Sequence, residues 1–228
     1  MPALSDDALP EGFRLLPGLL APEKRLALIA ELSALPPGAA GQRELLEQPW
    51  CRDFARWLRS LESLRPFLPA DRVAVQCTLF EKSGDRNWLV APHQDLAIPV
   101  AQRVGGAALR GWSVKDGRHF VLAPPALLHG MLAVRLHLDD ATGAHGGLRI
   151  VPGSHRQGVL DEEAVRHWRD DAGEVAVDAR AGDALLMRPL LLHASSKAAA
   201  AAGRRRVLHF LFGPPAPLHG LAWQWAVG

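Results

Sequence analysis

Apolar and polar positions divide the chain into an N-terminal region with helical spacing and a longer region of short apolar runs. Residues 22–32 begin with proline and are followed by a proline pair, which predicts a helix. In residues 43–64 apolar side chains recur every three or four positions, and Pro49 should kink or divide this second helical stretch. We therefore predict that residues 1–70 form a helical layer that supports β structure.

From residue 73 onward, short apolar runs alternate with Gly, Pro and Asp, as is typical of a jelly roll. The predicted strands are residues 73–81, 131–139, 148–151, 174–177, 184–188 and 207–212. A polar segment at 160–171, acidic at its front, predicts an inserted helix. The expected fold class is mainly β with flanking helices (α+β). We expect a single domain over residues 1–228, with the β core at 71–213 and a C-terminal tail at 214–228.

Composition narrows the class of protein. The chain has 228 residues and a net charge of +2, and its 48% hydrophobic and 22% charged residues are ordinary for a globular protein. No apolar run reaches the roughly 20 residues that span a bilayer, and the N-terminus lacks the basic-then-apolar order of a secretory signal, so we expect a cytoplasmic protein without a membrane partner. Cys51 and Cys77 lack the paired spacing of a zinc site, which predicts reduced thiols.

Candidate metal ligands occur in the tripeptide His93-Gln94-Asp95 and at His193, which follows a predicted buried strand. Two imidazoles and one carboxylate can occupy one face of the octahedron of a mononuclear non-haem iron(II). The tripeptide alone is weak evidence, because residues i and i+2 share a face on any strand and the run 137–139 is also His-x-Asp. The turn residues that follow that second run favour a structural role for it.

Arg204, Arg205 and Arg206 stand at the entrance of an apolar strand, so at least one of them should face inward. A buried guanidinium needs a partner, because it cannot lose its charge. A dicarboxylate could bind this planar group at one end and chelate a metal at the other. Strand alternation would place Arg205 and His209 on one face and the other two arginines on the opposite face, although all three remain candidates. So short a basic block does not predict nucleic-acid binding.

Four motifs in this order resemble the phytanoyl-CoA dioxygenase family of iron(II)- and 2-oxoglutarate-dependent oxygenases. They are Asn87-Trp88-Leu89-Val90-Ala91-Pro92-His93-Gln94-Asp95, Gly147-Leu148-Arg149-Ile150-Val151-Pro152-Gly153-Ser154-His155-Arg156, residues 185–196, and Arg205-Arg206-Val207-Leu208-His209. The resemblance covers roughly residues 73–213. It implies a double-stranded β-helix, a cupin-like jelly roll, with a metal at its mouth.

The resemblance also implies the chemistry of the site. Iron(II) would be held by His93, Asp95 and His193, and Arg205 would bind the distal carboxylate of 2-oxoglutarate. The enzyme would use dioxygen to hydroxylate an unactivated C–H bond of a small molecule, releasing succinate and carbon dioxide. Lys82 and Thr78 are further candidates for binding the co-substrate. The stretch before the arginines is one residue longer than the family pattern, which leaves Arg204 and Arg206 open.

Other interpretations remain. His155 of the Pro-Gly-Ser-His turn is expected to be structural or to support the site. Residues 96–128 lack a clear pattern, and we interpret them as a long loop and hypothesise a lid that places Trp112, Lys115 and His119 over the metal. The same fold could serve a non-oxidative, cupin-like metal- or ligand-binding protein, or an oxygenase that has lost its activity. The cupin signature of His-x-His with a nearby Glu is absent. The prime substrate and the oligomeric state are not indicated.

Overall fold

The structure, a computed structural model, describes residues 8–36, 41–106, 109–199 and 203–228. Within these ranges the chain forms thirteen strands and four α-helices. The strands are β1 (Phe13–Leu16), β2 (Gly41–Gln42), β3 (Val73–Lys82), β4 (Val90–His93), β5 (Ala97–Val100), β6 (Arg110–Lys115), β7 (Arg118–Leu122), β8 (Leu132–His137), β9 (Leu148–Ile150), β10 (Val175–Val177), β11 (Ala184–Met187), β12 (His193–Ser195) and β13 (Arg205–Gly213). The helices are α1 (Pro22–Ser33), α2 (Pro49–Ser60), α3 (Pro125–Leu128) and α4 (Glu162–Ala172).

Two antiparallel sheets form the body of the fold. The larger sheet has the order β1-β11-β8-β13-β3-β2, and the smaller has the order β10-β9-β12-β4. Apolar side chains from the inner faces of both sheets, among them Val75, Met187 and Ile150, pack into one buried cluster. This arrangement confirms the predicted jelly roll with flanking helices.

Strand alternation on β13 separates the structural face of the larger sheet from its inner face. Leu208, Phe210 and Phe212 point outward into a second apolar cluster that includes residues of α1 and α2. The ring of Phe210 lies 5.8 Å from that of Phe54 on α2. The intervening residues of β13 therefore face the interior between the sheets, where a site can form.

The predicted helices are present. α1 and α4 lie within two residues of their predicted bounds, whereas α2 covers only residues 49–60 of the stretch predicted at 43–64. α1 begins at Pro22, and α2 begins at Pro49, where proline was predicted to divide the second stretch. The Asp161 side chain accepts a hydrogen bond of 2.8 Å from the Ala164 amide and so caps α4, the inserted helix. Among the described residues no helix is long and apolar enough to cross a membrane.

Three features differ from the sequence prediction. The region predicted to be a purely helical layer contributes β1 and β2 to the larger sheet, and its residues 1–7 and 37–40 lie outside the described ranges. The predicted C-terminal tail is part of the core, because Trp223 and Val227 are buried and Val227 exchanges backbone hydrogen bonds with Ala74. Much of the predicted loop at 96–128 is a third sheet of order β5-β7-β6.

Candidate metal centre and its cavity

The two candidate histidines face each other across a strand pair of the smaller sheet. β4 ends at His93 and β12 begins at His193, and these residues are direct partners in the antiparallel register. Their ring centroids are 4.3 Å apart. Asp95 follows two residues after His93, and its amide donates to the Pro189 carbonyl at 2.8 Å, which fixes the backbone beyond the strand end.

Gln94, between the two candidate ligands, points to the other side. Its side-chain nitrogen donates to the carbonyls of Gly158 and Leu190 at 2.8 and 2.7 Å, and its oxygen accepts from the Leu160 amide at 2.9 Å. The period of two along an extended chain therefore turns the imidazole and the carboxylate inward, while the amide between them anchors a neighbouring loop.

Both imidazoles are oriented for metal binding. The Nδ1 atoms of His93 and His193 each lie 2.9 Å from the carbonyl oxygen two residues earlier. A carbonyl only accepts, so each Nδ1 carries the hydrogen and each Nε2 presents a lone pair. These Nε2 atoms lie 3.7 and 3.8 Å from the two Asp95 oxygens, and the donor atoms of the three residues are all within 4.8 Å of one another. The donor set fits a divalent first-row metal with open positions, each histidine being supported from behind.

Electrostatics keep Asp95 and His193 in the forms that a metal requires. Burial opposes the charged form of His93, but the neighbouring Asp95 outweighs burial and raises the pKa of His93, so a metal would replace a proton at that imidazole. Burial raises the pKa of Asp95, but the imidazoles of His193, His93 and His209 outweigh burial and hold that pKa well below its usual range. Burial lowers the pKa of His193 to about 4, against the opposing charge of Asp95. The carboxylate is therefore ionised and the His193 imidazole neutral near pH 7, as metal ligation requires.

A third imidazole, His209 on β13, lies beside the centre but has a different role. Its Nε2 is 3.9 Å from an Asp95 oxygen, and its Nδ1 is 3.0 Å from a terminal nitrogen of Arg135. Because a guanidinium only donates, the His209 Nδ1 accepts and Nε2 carries the hydrogen. His209 therefore presents an N–H group to the metal centre and not a lone pair. The sequence had placed His209 on the inward face but had not linked it to the metal centre.

The centre opens into a cavity of about 460 Å³ between the sheets. Its wall is lined by Arg43, Gln76, Thr78, Phe80, Trp88, Val90, His93, Gln94, Asp95, Leu96, Ala97, Lys115, Phe120, Leu122, Arg135, Leu148, His193, Ser195, Arg205, His209 and Leu211. Among these described residues Asp95 is the one acid, whereas four carry a permanent positive charge. A cavity of this size with a net positive charge on its lining residues suits a small anionic ligand.

The three arginines at the start of β13 have different positions and partners. Arg205 is buried, lines the cavity and donates to the Gly146 carbonyl at 2.5 Å. Arg204 is exposed and pairs with Glu81, and Arg206 makes two hydrogen bonds of 2.8 Å to Asp139. The alternation predicted from the sequence is thus observed, and Arg205 is the arginine placed to meet a ligand.

The two weaker candidates for co-substrate binding are placed differently. Thr78 is buried in the cavity wall and accepts a hydrogen bond of 3.1 Å from Gln76. Lys82 is fully buried outside the wall, and its amino group donates to Ser195 Oγ at 2.7 Å and to the Ser196 carbonyl at 2.5 Å. Burial and the nearby Arg205 lower the pKa of Lys82 to about 8. Only Thr78 of this pair reaches the cavity.

The second His-x-Asp run and the Pro-Gly-Ser-His turn are outside the metal cluster. His137 is buried in β8, and Asp139 holds Arg206, so this run has the structural role that the following turn indicated. His155 is buried in a short 3-10 helix and does not line the cavity. No second group of potential metal ligands is found in the described part of the chain.

The lid hypothesis is corrected in part. Phe120 and Leu122 of β7 and Lys115 of β6 line the cavity, whereas Trp112 and His119 do not. Alternation explains the position of His119, because Phe120 and Leu122 occupy the opposite face of β7. The β6–β7 hairpin is tied to the N-terminal segment by ion pairs. Arg118 pairs with Glu44 at 2.9 Å and also with Glu47, and Asp116 pairs with Arg43 at 3.1 Å.

Comparison with known proteins agrees with this geometry. A family model described as phytanoyl-CoA dioxygenase matches residues 12–207. Solved structures of similar fold include EctD from S. alaskensis in its apo form, with 20% identity, a TM-score of 0.67, and coverage of 98% of this chain and 85% of that one. AviO1 from Streptomyces viridochromogenes Tue57 has 23% identity and a TM-score of 0.61, with 96% and 99% covered.

A third similar structure, HygX from Streptomyces hygroscopicus, was crystallised with nickel, 2-oxoglutarate and hygromycin B. It has 21% identity and a TM-score of 0.60, with coverage of 92% of this chain and 88% of that one. At these identities the structures establish the fold alone. No curated protein sequence matches the chain significantly.

Proposed function

This chain belongs to the phytanoyl-CoA dioxygenase family, and we propose that it hydroxylates an unactivated C–H bond of a small molecule, using iron(II), 2-oxoglutarate and dioxygen. The single observation that carries this proposal is the convergence of His93, Asp95 and His193, whose donor atoms lie within 4.8 Å of one another in an open cavity. Three protein ligands leave open positions, as a non-haem iron oxygenase requires.

His93, Asp95 and His193 would hold iron(II). When bound, the metal and its co-substrate supply the oxidising power, so that substrate, dioxygen and 2-oxoglutarate become hydroxylated product, succinate and carbon dioxide. The protein fixes the ligand geometry through the two carbonyls behind the imidazoles. The His209 Nε2–H faces an Asp95 oxygen at 3.9 Å.

Arg205 would bind the distal carboxylate of 2-oxoglutarate. It lines the cavity, and its Nε has no hydrogen-bond partner among the described residues. Burial, followed by the charge of Arg135, lowers the pKa of Arg205 to about 10, which still leaves it charged at neutral pH. A buried guanidinium with unused donors is a strong site for a carboxylate.

The remaining wall favours a small substrate with an apolar part near the metal. Trp88, Leu96, Phe120 and Leu148 contribute apolar surface to the cavity. Such surface excludes water from the site and positions the apolar part of a substrate by van der Waals contact. The substrate would enter beside the β6–β7 hairpin, where Lys115 lines the cavity.

The direct test is a coupled measurement of succinate formation and oxygen consumption with iron(II) and 2-oxoglutarate. We expect slow succinate formation without a prime substrate and faster formation when a substrate is found in a library of small molecules. Binding of nickel and 2-oxoglutarate without any succinate formation would instead support the alternative of a non-oxidative binding protein.

A second prediction concerns the arginines. Arg205→Gln should raise the KM for 2-oxoglutarate about 10- to 100-fold, because hydrogen bonds to charged groups contribute about 1.5–3 kcal/mol. Arg206→Gln is the matched control, since Arg206 is the next residue on the same strand but bonds to Asp139 outside the cavity. Equal effects of the two substitutions on this KM would contradict the role proposed for Arg205.

A further inference from the structure

A second buried guanidinium, that of Arg135, lines the cavity, and it comes from a strand that the sequence motifs did not connect with ligand binding. Arg135 is in the middle of β8, between β11 and β13, and is only 6% exposed. One terminal nitrogen bonds to His209 at 3.0 Å, and its Nε has no hydrogen-bond partner among the described residues. Within the described ranges no ion pair neutralises Arg135.

Such a group is unfavourable in the absence of a ligand. Burial lowers the pKa of Arg135 to about 10, and the charge of Asp95 opposes this only in part. Arg135 in turn disfavours the charged forms of Arg205 and Lys82. Arg135 faces the cavity between the sheets, so an anion that enters this cavity would supply the missing counter-charge. Buried charges without a counter-charge are a feature that proteins tolerate mainly at functional sites.

The two buried arginines of the cavity come from different positions along the larger sheet. Arg135 is opposite His209 in the strand register, and His209 is 3.9 Å from Asp95, so Arg135 is at the metal end. Arg205 is four residues earlier on β13, about 13 Å along the strand, and it contacts Gly146. Both guanidinium groups line the same cavity, so one ligand with two anionic groups could contact both.

We propose that Arg135 binds the carboxylate next to the keto group of 2-oxoglutarate, while Arg205 binds the distal carboxylate. This inference rests on the proposed function and deepens it, by assigning one guanidinium to each charge of the dianion. The guanidinium carbon of Arg135 lies 5.6 Å from the ring centroid of Phe80, which also lines the cavity and is opposite Val207. The side chain thus reaches across β13 toward the space between the metal and Arg205.

The role of Arg135 is a binding role and not a folding role, and this makes it testable without turnover. Replacing Arg135 by glutamine removes an unneutralised buried charge and leaves a neutral amide that can donate hydrogen bonds within the cavity. The metal-free variant should therefore unfold at the same temperature as the wild type or at a higher one. A residue retained for structure would show the opposite change.

The experiment measures ligand binding by calorimetry to the nickel-loaded protein without oxygen. The two ligands are 2-oxoglutarate and 2-oxopentanoate, which has the same keto acid end but no distal carboxylate. Arg135→Gln should weaken both ligands by the same factor, about 10- to 100-fold. Arg205→Gln should weaken 2-oxoglutarate alone, down to the level of 2-oxopentanoate. Arg206→Gln should leave both affinities within about twofold, and Arg135→Lys should recover part of the loss.

Three results would overturn the assignment of Arg135. The first is that Arg135→Gln leaves both affinities within about twofold of the wild type. The second is that it removes only the preference for the dicarboxylate, which would place Arg135 at the distal end. The third is a lower unfolding temperature of its metal-free form. If the nickel-loaded wild type binds neither ligand, the proposed function itself fails, and that result is distinct from all three.

Discussion

Asp95→Ala is expected to lose the metal and with it all turnover. The carboxylate lies within 4 Å of the Nε2 atoms of His93, His193 and His209, and it is the only acid in the described wall of the cavity. Removal leaves two imidazole ligands in a pocket that also contains Arg135. Because even groups behind metal ligands contribute about 10- to 100-fold to metal affinity, loss of a ligand should weaken nickel or iron(II) binding by at least about 100-fold.

The measurement is metal affinity by calorimetry, together with succinate formation at saturating 2-oxoglutarate. Asp139→Asn is the matched control, since Asp139 ends the other His-x-Asp run of the chain but bonds to Arg206. This control should lose about 1.5–3 kcal/mol of stability, the contribution of hydrogen bonds to a charged group, and keep its metal affinity. Asp95→Ala with full iron occupancy and normal turnover would contradict the assignment of Asp95.

The inward face of β13 illustrates what the sequence could predict. β13 is central in the larger sheet, so alternation holds from Arg205 to His209 and places Arg205 on the cavity face and Arg206 on the opposite face. The candidate ligand triad followed from the order of the motifs and the family resemblance, and the structure brings its two histidines together as register partners of β4 and β12. Local periodicity and the order of motifs carry this information in the sequence.

Arg135 could not be assigned from the sequence, although a charged residue in an apolar strand was a visible signal. Arginine at a sheet edge extends its charge to solvent, and only the strand order shows that β8 is enclosed by β11 and β13. Whether such a residue is buried depends on strands that are distant in sequence. The pattern within one strand carries no information about those strands.

The third sheet was missed for a different reason. β6 has mostly exposed residues, and its register with β7 is irregular between Arg110 and Ser113, next to Gly111. A strand with little buried surface shows no apolar alternation, so residues 96–128 resembled a loop. Pairing with β7, the ion pairs of Arg118 and the burial of Phe120 and Val121 hold this hairpin over the cavity.

Gly146→Ala should combine a large loss of stability with weaker co-substrate binding. Gly146 has a φ of +66°, a left-handed conformation that costs other residues about 1–2 kcal/mol. A Cβ atom there would lie 2.5 Å from the Ser196 carbonyl oxygen and 2.9 Å from the Ala198 amide, both of them backbone atoms. The backbone at residue 146 would have to move away from residues 196–198, so the free energy of unfolding should fall by about 2–4 kcal/mol in total.

The same substitution should affect the ligand because the Gly146 carbonyl accepts hydrogen bonds from both Arg205 and Ser195. Moving this carbonyl releases Arg205 from its position in the wall, so 2-oxoglutarate affinity should fall although no ligand-binding side chain is changed. Gly18→Ala is the control for backbone conformation, with a φ of +61° and no atom within 4 Å of the added carbon.

Urea unfolding and calorimetry with the nickel-loaded protein measure the two effects separately. Gly18→Ala should lose about 1–2 kcal/mol and keep its affinity for 2-oxoglutarate. Gly146→Ala should lose more stability, and the excess over the control measures the contact with residues 196–198. Equal losses in the two variants would show that this contact is relieved without moving the chain. If 2-oxoglutarate affinity were unchanged in Gly146→Ala, the Gly146 carbonyl would not be what holds Arg205 in its binding position.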